Sequence, residues 1–285
     1  MITNYHTHTH YCDGRAEAFR FVEEAIHQGV VSLGFSTHAP VNFPTGWTID
    51  PKQTGDYHAE IHRLKREYAE RIDIFCGLEA DFFNHGMPEI QALYAGYKWD
   101  YIIGSIHFID GIRPNGQRWC IDGPHEDFLD GWRNIMDCDP LLPVREYFEV
   151  TRKMVRQMKP DIIGHLDKIK MQSRPDCIIP DTHPFFREQL MATLEEIAAA
   201  NCIVEINTRG IQKGLTDYFP GRAAIAEMQK MGIPVTISSD AHTPNSIKYG
   251  FEQAEKFLME VGYRTARVFR NGKWEERNLE LRIKN

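Results

Sequence analysis

Ile2-Thr3-Asn4-Tyr5-His6-Thr7-His8 is the stretch from which the fold is read. Residues 2–6 have the character of a short strand, and the strand runs straight into a His-x-His pair. Side chains alternate along an extended chain, so both imidazoles turn to the same side. Six further apolar runs, at 32–36, 73–78, 101–105, 161–164, 203–207 and 235–239, are predicted as strands. Between them lie amphipathic stretches at 16–28, 57–71, 87–96, 144–158, 184–200, 222–231 and 246–261, predicted as helices. Gly29 and Gly232 follow two of these, where a left-handed C-terminal cap is expected. Strand and helix alternating from end to end is the pattern of an α/β fold on a parallel sheet. No Gly-x-Gly-x-x-Gly follows the first strand, which favours a closed or nearly closed TIM-like barrel of seven βα units over a doubly wound sheet.

At 285 residues the chain suits one barrel domain spanning 1–285. Two polar stretches rich in Gly, Pro, Asn and Trp, 41–56 and 110–130, interrupt the rhythm and read as lids or binding loops. Residues 263–280 read as a β-hairpin turning at Asn271-Gly272. Hydrophobic residues make up 42% and charged residues 26%, an ordinary globular balance that favours neither disorder nor a membrane class. The N-terminus has neither a basic nor an apolar leader region, and the six cysteines form no Cys-x-x-Cys pair. A cytoplasmic protein with reduced thiols is expected. A net charge of −7 argues against a nucleic-acid footprint, so any small anionic substrate would have to be attracted locally.

The chemistry lies where the strands end. The first strand runs into His6 and His8, the second into His38, the third into Glu79 and Asp81, and the fourth into His107. The fifth reaches His165 and Asp167, the sixth Glu205 and Arg209, the seventh Asp240 and His242. In a βα barrel these ends converge on one face, and so many buried ionisable groups are costly unless paired or bound to metal. His6, His8, Asp13, His38, Glu79, His107, His165, Asp240 and His242 make nine candidate ligands, more than a single open tetrahedral ion uses. Two or three divalent ions are therefore expected, with imidazole and carboxylate donors suiting Zn, Mn or Fe.

His6-x-His8 with Asp13-Gly14, Gly77-Leu78-Glu79, Ser105-Ile106-His107, Gly164-His165 and Ser239-Asp240-Ala241-His242 together resemble the motifs of the polymerase-and-histidinol-phosphatase (PHP) superfamily. The length and the Thr37-His38-Ala39-Pro40 run resemble its stand-alone histidinol-phosphate phosphatases. That resemblance implies a distorted seven-stranded barrel around a trinuclear centre. His6, His8, Glu79 and Asp240 would hold the first ion, Glu79, His107 and His165 the second, and Asp13, His38 and His242 the third, with His10 as a competitor of Asp13. It also implies hydrolysis of a phosphomonoester, L-histidinol phosphate above others, by a metal-activated water, as a step of histidine biosynthesis.

Catalytic roles are expected for Glu79, Asp240, His242 and Arg209, and phosphate contacts for Arg209, Lys168 and Lys170. Many members of this phosphatase group carry an Arg after the fifth-strand Gly-His; here Lys168-Ile169-Lys170 stands instead. The alternatives are a phosphoesterase acting on another small phosphate or nucleotide, an amidohydrolase-type metal hydrolase, and a metal-binding module without turnover. Oligomeric state and metal identity stay open.

Overall fold

Each apolar run of the sequence becomes a strand, and each amphipathic stretch supplies a helix that carries the chain back to the same end. The computed structural model describes residues 1–173 and 177–280. Its strands are β1 (Ile2–Asn4), β2 (Val30–His38), β3 (Asp73–Asp81), β4 (Ile102–Ser105), β5 (Phe108–Ile112), β6 (Arg118–Cys120), β7 (Ile162–Ile163), β8 (Ile203–Asn207), β9 (Val235–Ser238), β10 (Thr265–Arg270) and β11 (Lys273–Asn278). Its helices are α1 (Ala18–His27), α2 (Thr54–Glu67), α3 (Met87–Ala92), α4 (His125–Ile135), α5 (Leu142–Gln157), α6 (Pro184–Ala200), α7 (Arg209–Gln212), α8 (Arg222–Lys230) and α9 (Phe251–Val261).

The seven predicted strands form one parallel sheet in the order β1-β2-β3-β4-β7-β8-β9. Its two edges meet just beyond β1 and β9, where His8 N–H donates to Ala241 O at 2.8 Å and Ala241 N–H donates to His6 O at 3.1 Å. The sheet is thus a nearly closed barrel, as expected. β1 is shorter than expected, ending at Asn4. There the Asn4 side chain accepts the His6 N–H at 3.2 Å and donates to Ser239 Oγ at 2.9 Å and Ile247 O at 3.0 Å, replacing ladder bonds with side-chain bonds.

Alternation sorts the layers. On β3, Ile74 and Cys76 join Ile61 and Leu64 of α2 in the core between sheet and helices, while Phe75 and Glu79 face the barrel interior. The lower interior is filled by Tyr5, Phe75, Tyr101, Ile103, Ile162, Ile203 and Phe269. Gly34 and Gly77 make room for it, because a Cβ at either position would collide with the Tyr101 ring. The β10–β11 hairpin closes this floor, packing Trp274 against Tyr5 with ring centroids 5.2 Å apart and Phe269 against Phe75 at 4.9 Å. Its turn is the expected Asn271-Gly272, both with positive φ, as a type I′ turn requires.

The two polar stretches are more ordered than expected. Residues 41–56 contain a 3-10 turn and the start of α2, and 110–130 contain most of the β5–β6 hairpin and the start of α4. Composition hid α4 because its apolar residues Phe128 and Leu129 sit among acidic ones. Trp119 is fully buried against Phe128, so it packs this subdomain and does not cover a ligand.

Candidate metal centre

Sheet register brings the strand-end residues together at the upper mouth. His38 pairs with Glu79 and Asp81 with Ser105 across β2, β3 and β4. Glu79 is 1% exposed and lies at the centre of the cluster. Its Oε2 is 3.1 Å from His6 Nε2, 3.4 Å from His8 Nε2 and 3.0 Å from His38 Nδ1. Its Oε1 is 2.8 Å from His165 Nε2 and 3.7 Å from His107 Nε2, and accepts Ser105 Oγ–H at 2.6 Å. Asp240 Oδ1 lies 3.3 Å from His8 Nε2 and 3.8 Å from His6 Nε2. On the outer side Asp13 Oδ2 lies 3.1 Å from His242 Nε2, and Asp13 Oδ1 is 3.6 Å from His38 Nε2. His38 therefore faces Glu79 with one nitrogen and Asp13 with the other.

These residues fit a metal centre by a structural criterion. Among the described residues, His6 Nε2, His8 Nε2, His38 Nδ1, Glu79 Oε2 and Asp240 Oδ1 are buried and make no hydrogen bond. They approach one another at 3.0–3.8 Å, yet are not aligned as donor and acceptor. Donors about 2.0–2.2 Å from a common tetrahedral ion stand about 3.3–3.6 Å apart, and leaving such atoms orphaned would cost about 1–3 kcal/mol each. Three ligand sets emerge from the geometry: His6, His8 and Asp240; His38, Glu79 and His107; His8, Asp13, His38 and His242.

Electrostatics point the same way. Burial alone would raise the Glu79 carboxyl, but the imidazoles of His6, His38 and His107 hold it well below the usual carboxylate range. Asp240 is likewise held low against burial, by His6 and Arg209. Burial would lower His6, but Glu205, Glu79 and Asp240 raise it well above the ordinary histidine value, so that without an ion it takes up a proton. A divalent ion would take that proton's place. His8 and His165 stay neutral: burial lowers both, helped by neighbouring imidazoles at His8 and by Lys168 at His165, which falls to about 4. Two of the cluster's residues hold left-handed backbone, Asp240 at φ +50° and His165 at φ +23°. Left-handed backbone in a non-glycine residue costs roughly 1 kcal/mol or more and tends to mark functional positions.

Behind these residues stands a layer the strand-end reading did not assign. Glu205 accepts from His6 Nδ1 at 2.8 Å and from His165 N–H at 2.8 Å, and Asp81 receives His107 N–H at 2.7 Å and lies 3.1 Å from its Nδ1. These carboxylates fix which nitrogen each imidazole turns inward. Period-two spacing from Glu79 to Asp81 was the available signal for one of them.

Above the cluster opens a cavity of about 220 Å³, walled by Trp47, Lys168, Arg209, Lys213 and Asp122. Trp47 meets His38 and His107 edge-on, with ring centroids 4.6 and 5.2 Å away. Arg209 donates to Asp240 O at 3.1 Å. Lys168 Nζ lies 3.2 Å from His107 Nε2 and 2.8 Å from Asp122, a loop carboxylate that also pairs with Lys213 at 3.0 Å. Lys170 belongs elsewhere. It donates to Asp167 at 2.9 Å and to Tyr218 O at 2.6 Å and is not among the residues that line the cavity. Asp13 faces the cluster, whereas His10 is exposed and packs on Tyr11.

A family model described as "PHP domain" matches residues 4–209. The probable histidinol-phosphatase of Deinococcus radiodurans is 29% identical over 273 residues, covering 95% of this chain and 97% of that one. The histidinol-phosphatase of Bacillus subtilis is 27% identical, covering 87% and 96%. Among solved structures, the putative histidinol phosphatase of Listeria monocytogenes matches with a TM-score of 0.78 at 20% identity, covering 88% and 99%. The Lactococcus lactis histidinol phosphate phosphatase, complexed with Zn, L-histidinol and phosphate, matches with a TM-score of 0.74 at 22% identity, covering 96% and 98%.

Proposed function

The chain belongs to the PHP domain family, and from that premise we propose that it hydrolyses L-histidinol phosphate to L-histidinol and phosphate on two or three divalent ions. The observation that carries this is the set of buried, unbonded donor atoms around Glu79 and Asp240, opening on a cavity walled by Lys168, Arg209 and Lys213. His6, His8, Glu79 and Asp240 would hold one ion, Glu79, His107 and His165 a second, and Asp13, His38 and His242 a third. Bound divalent ions there supply Lewis acidity toward phosphoryl oxygens and bring the pKa of water toward neutrality.

The chain's own groups do the rest. Arg209 and Lys168 receive the phosphoryl oxygens and offset their charge as the ester bond lengthens. Asp240 is held ionised against burial by His6 and Arg209, which suits it to holding an ion and not to protonating the leaving oxygen. Trp47 covers the imidazoles and limits water. The relatives' names support the choice of substrate, and with it a place in histidine biosynthesis. Among the described residues no helix is long and apolar enough to cross a membrane.

A screen with histidinol phosphate, phosphoserine, AMP and a short oligonucleotide, beside an amide and lactone panel, tests the reading. Histidinol phosphate should give the highest kcat/KM. A better amide or lactone substrate would turn the assignment to an amidohydrolase-type enzyme.

A further inference from the structure

A second set of metal-binding side chains sits on the outer wall of the barrel, apart from the mouth. His58 and His62 lie one helical turn apart on α2, a spacing that places both rings on one face. Cys76 comes from β3 beneath them. A ring nitrogen of each histidine and the Cys76 sulfur all lie within 4.8 Å of one another. The two Nε2 atoms are 3.2 Å apart, close to the edge of about 3.3 Å that nitrogens about 2.0–2.1 Å from a tetrahedral ion would span. Cys76 points away from the catalytic mouth, because Glu79, three residues further along the same strand, faces the opposite side of the sheet.

The geometry points to a separate binding site for a thiophilic transition ion of zinc's kind, held by His58, His62 and Cys76. Imidazole with thiolate is a donor set that selects such ions over magnesium or calcium. Burial, with His58 and Lys65 nearby, lowers the pKa of His62, which favours the neutral imidazole that an ion binds. Burial keeps Cys76 a thiol. Binding therefore releases one proton to solvent as the S–H bond is exchanged for a sulfur–metal bond. His58 gives up its contact with Lys98 O, now 3.1 Å from its Nε2, and water completes the shell from the half-exposed histidine side. The ion would tie α2 to β3 where Tyr57 already donates to Gly77 O at 2.9 Å, bracing the strand that carries Glu79.

Cobalt titration of the purified, active protein tests this with a readout the mouth does not produce, since its proposed ligands are nitrogen and oxygen only. A thiolate-to-cobalt charge-transfer band should grow to one equivalent, with displacement by zinc. Cys76→Ser should abolish the band, and His62→Gln, a change on a half-exposed helix position, should weaken binding at least tenfold. Both variants should keep phosphoester hydrolysis within about twofold of wild type. Cys12 is the control, because its sulfur lies 3.4 Å from His8 Nδ1, and Cys12→Ser should leave the band intact. Absence of the band, its survival in Cys76→Ser, undiminished binding in His62→Gln, or loss of the band in Cys12→Ser would overturn the site, whatever the substrate screen returns.

Discussion

At the scale of single residues, Glu79 and Arg209 make separable claims. Glu79→Gln should abolish turnover and lower metal content, because a neutral amide is a poor replacement for a carboxylate facing five imidazoles. The fold should survive, and metal analysis beside activity checks both; full activity would remove the centre of the assignment. Arg209→Ala should lower kcat/KM roughly ten- to a hundredfold, the worth of a charge-assisted bond of about 1.5–3 kcal/mol, with metal content unchanged. Lys at that position should recover only part, having charge without the fork. Kinetics within twofold of wild type would shift the phosphate site toward Lys168. The strand-end residues were legible because alternation and barrel convergence are local rules. Asp122 was not, since nothing in a polar loop says which lysines its carboxylate will meet after the chain folds, and Lys168 and Lys170 pair with different carboxylates because adjacency does not fix which way a 3-10 turn aims each side chain.

Elements were legible where period and length agreed. All seven barrel strands and the terminal hairpin followed from apolar runs and turn chemistry, whereas β1 stops early because Asn4 bonds its neighbours in place of a ladder, a contact with residues more than two hundred positions away. The β5–β6 hairpin and α4 were hidden by their polarity. The packing of β3 against Tyr101 makes a prediction at this scale. Gly77→Ala should destabilise the chain by about 1–3 kcal/mol or more, as overpacking does, read as a lower denaturant midpoint. Adding Tyr101→Leu should restore part of the loss, because the two sites share one space. A wild-type midpoint for Gly77→Ala alone would contradict the packing.

For the whole molecule, metal and proton compete for the same mouth. Chelation should inactivate the protein and lower its melting temperature, with both restored by Mn or Zn; full activity in metal-free protein would leave the proposed chemistry without its ions. In the chelated protein His165 titrates near 4 when folded, against about 6.5 when unfolded. Between those values the unfolded chain binds the extra proton, so this residue's contribution to stability is complete above the higher value and falls as pH drops toward the lower. His165→Asn should flatten the stability slope across that window by up to about 1.4 kcal/mol per pH unit. An unchanged slope would mean the imidazole is not buried as described. The aromatic floor made by Tyr5, Phe75, Tyr101, Phe269 and Trp274 sets the traffic through all of this. Among the described residues the barrel is a cul-de-sac: substrate, water, alcohol and inorganic phosphate share one doorway, and each turnover must end in an evacuation. Phosphate that lingers between Lys168 and Arg209 stands in the path of the next arrival, so it should act as a competitive inhibitor.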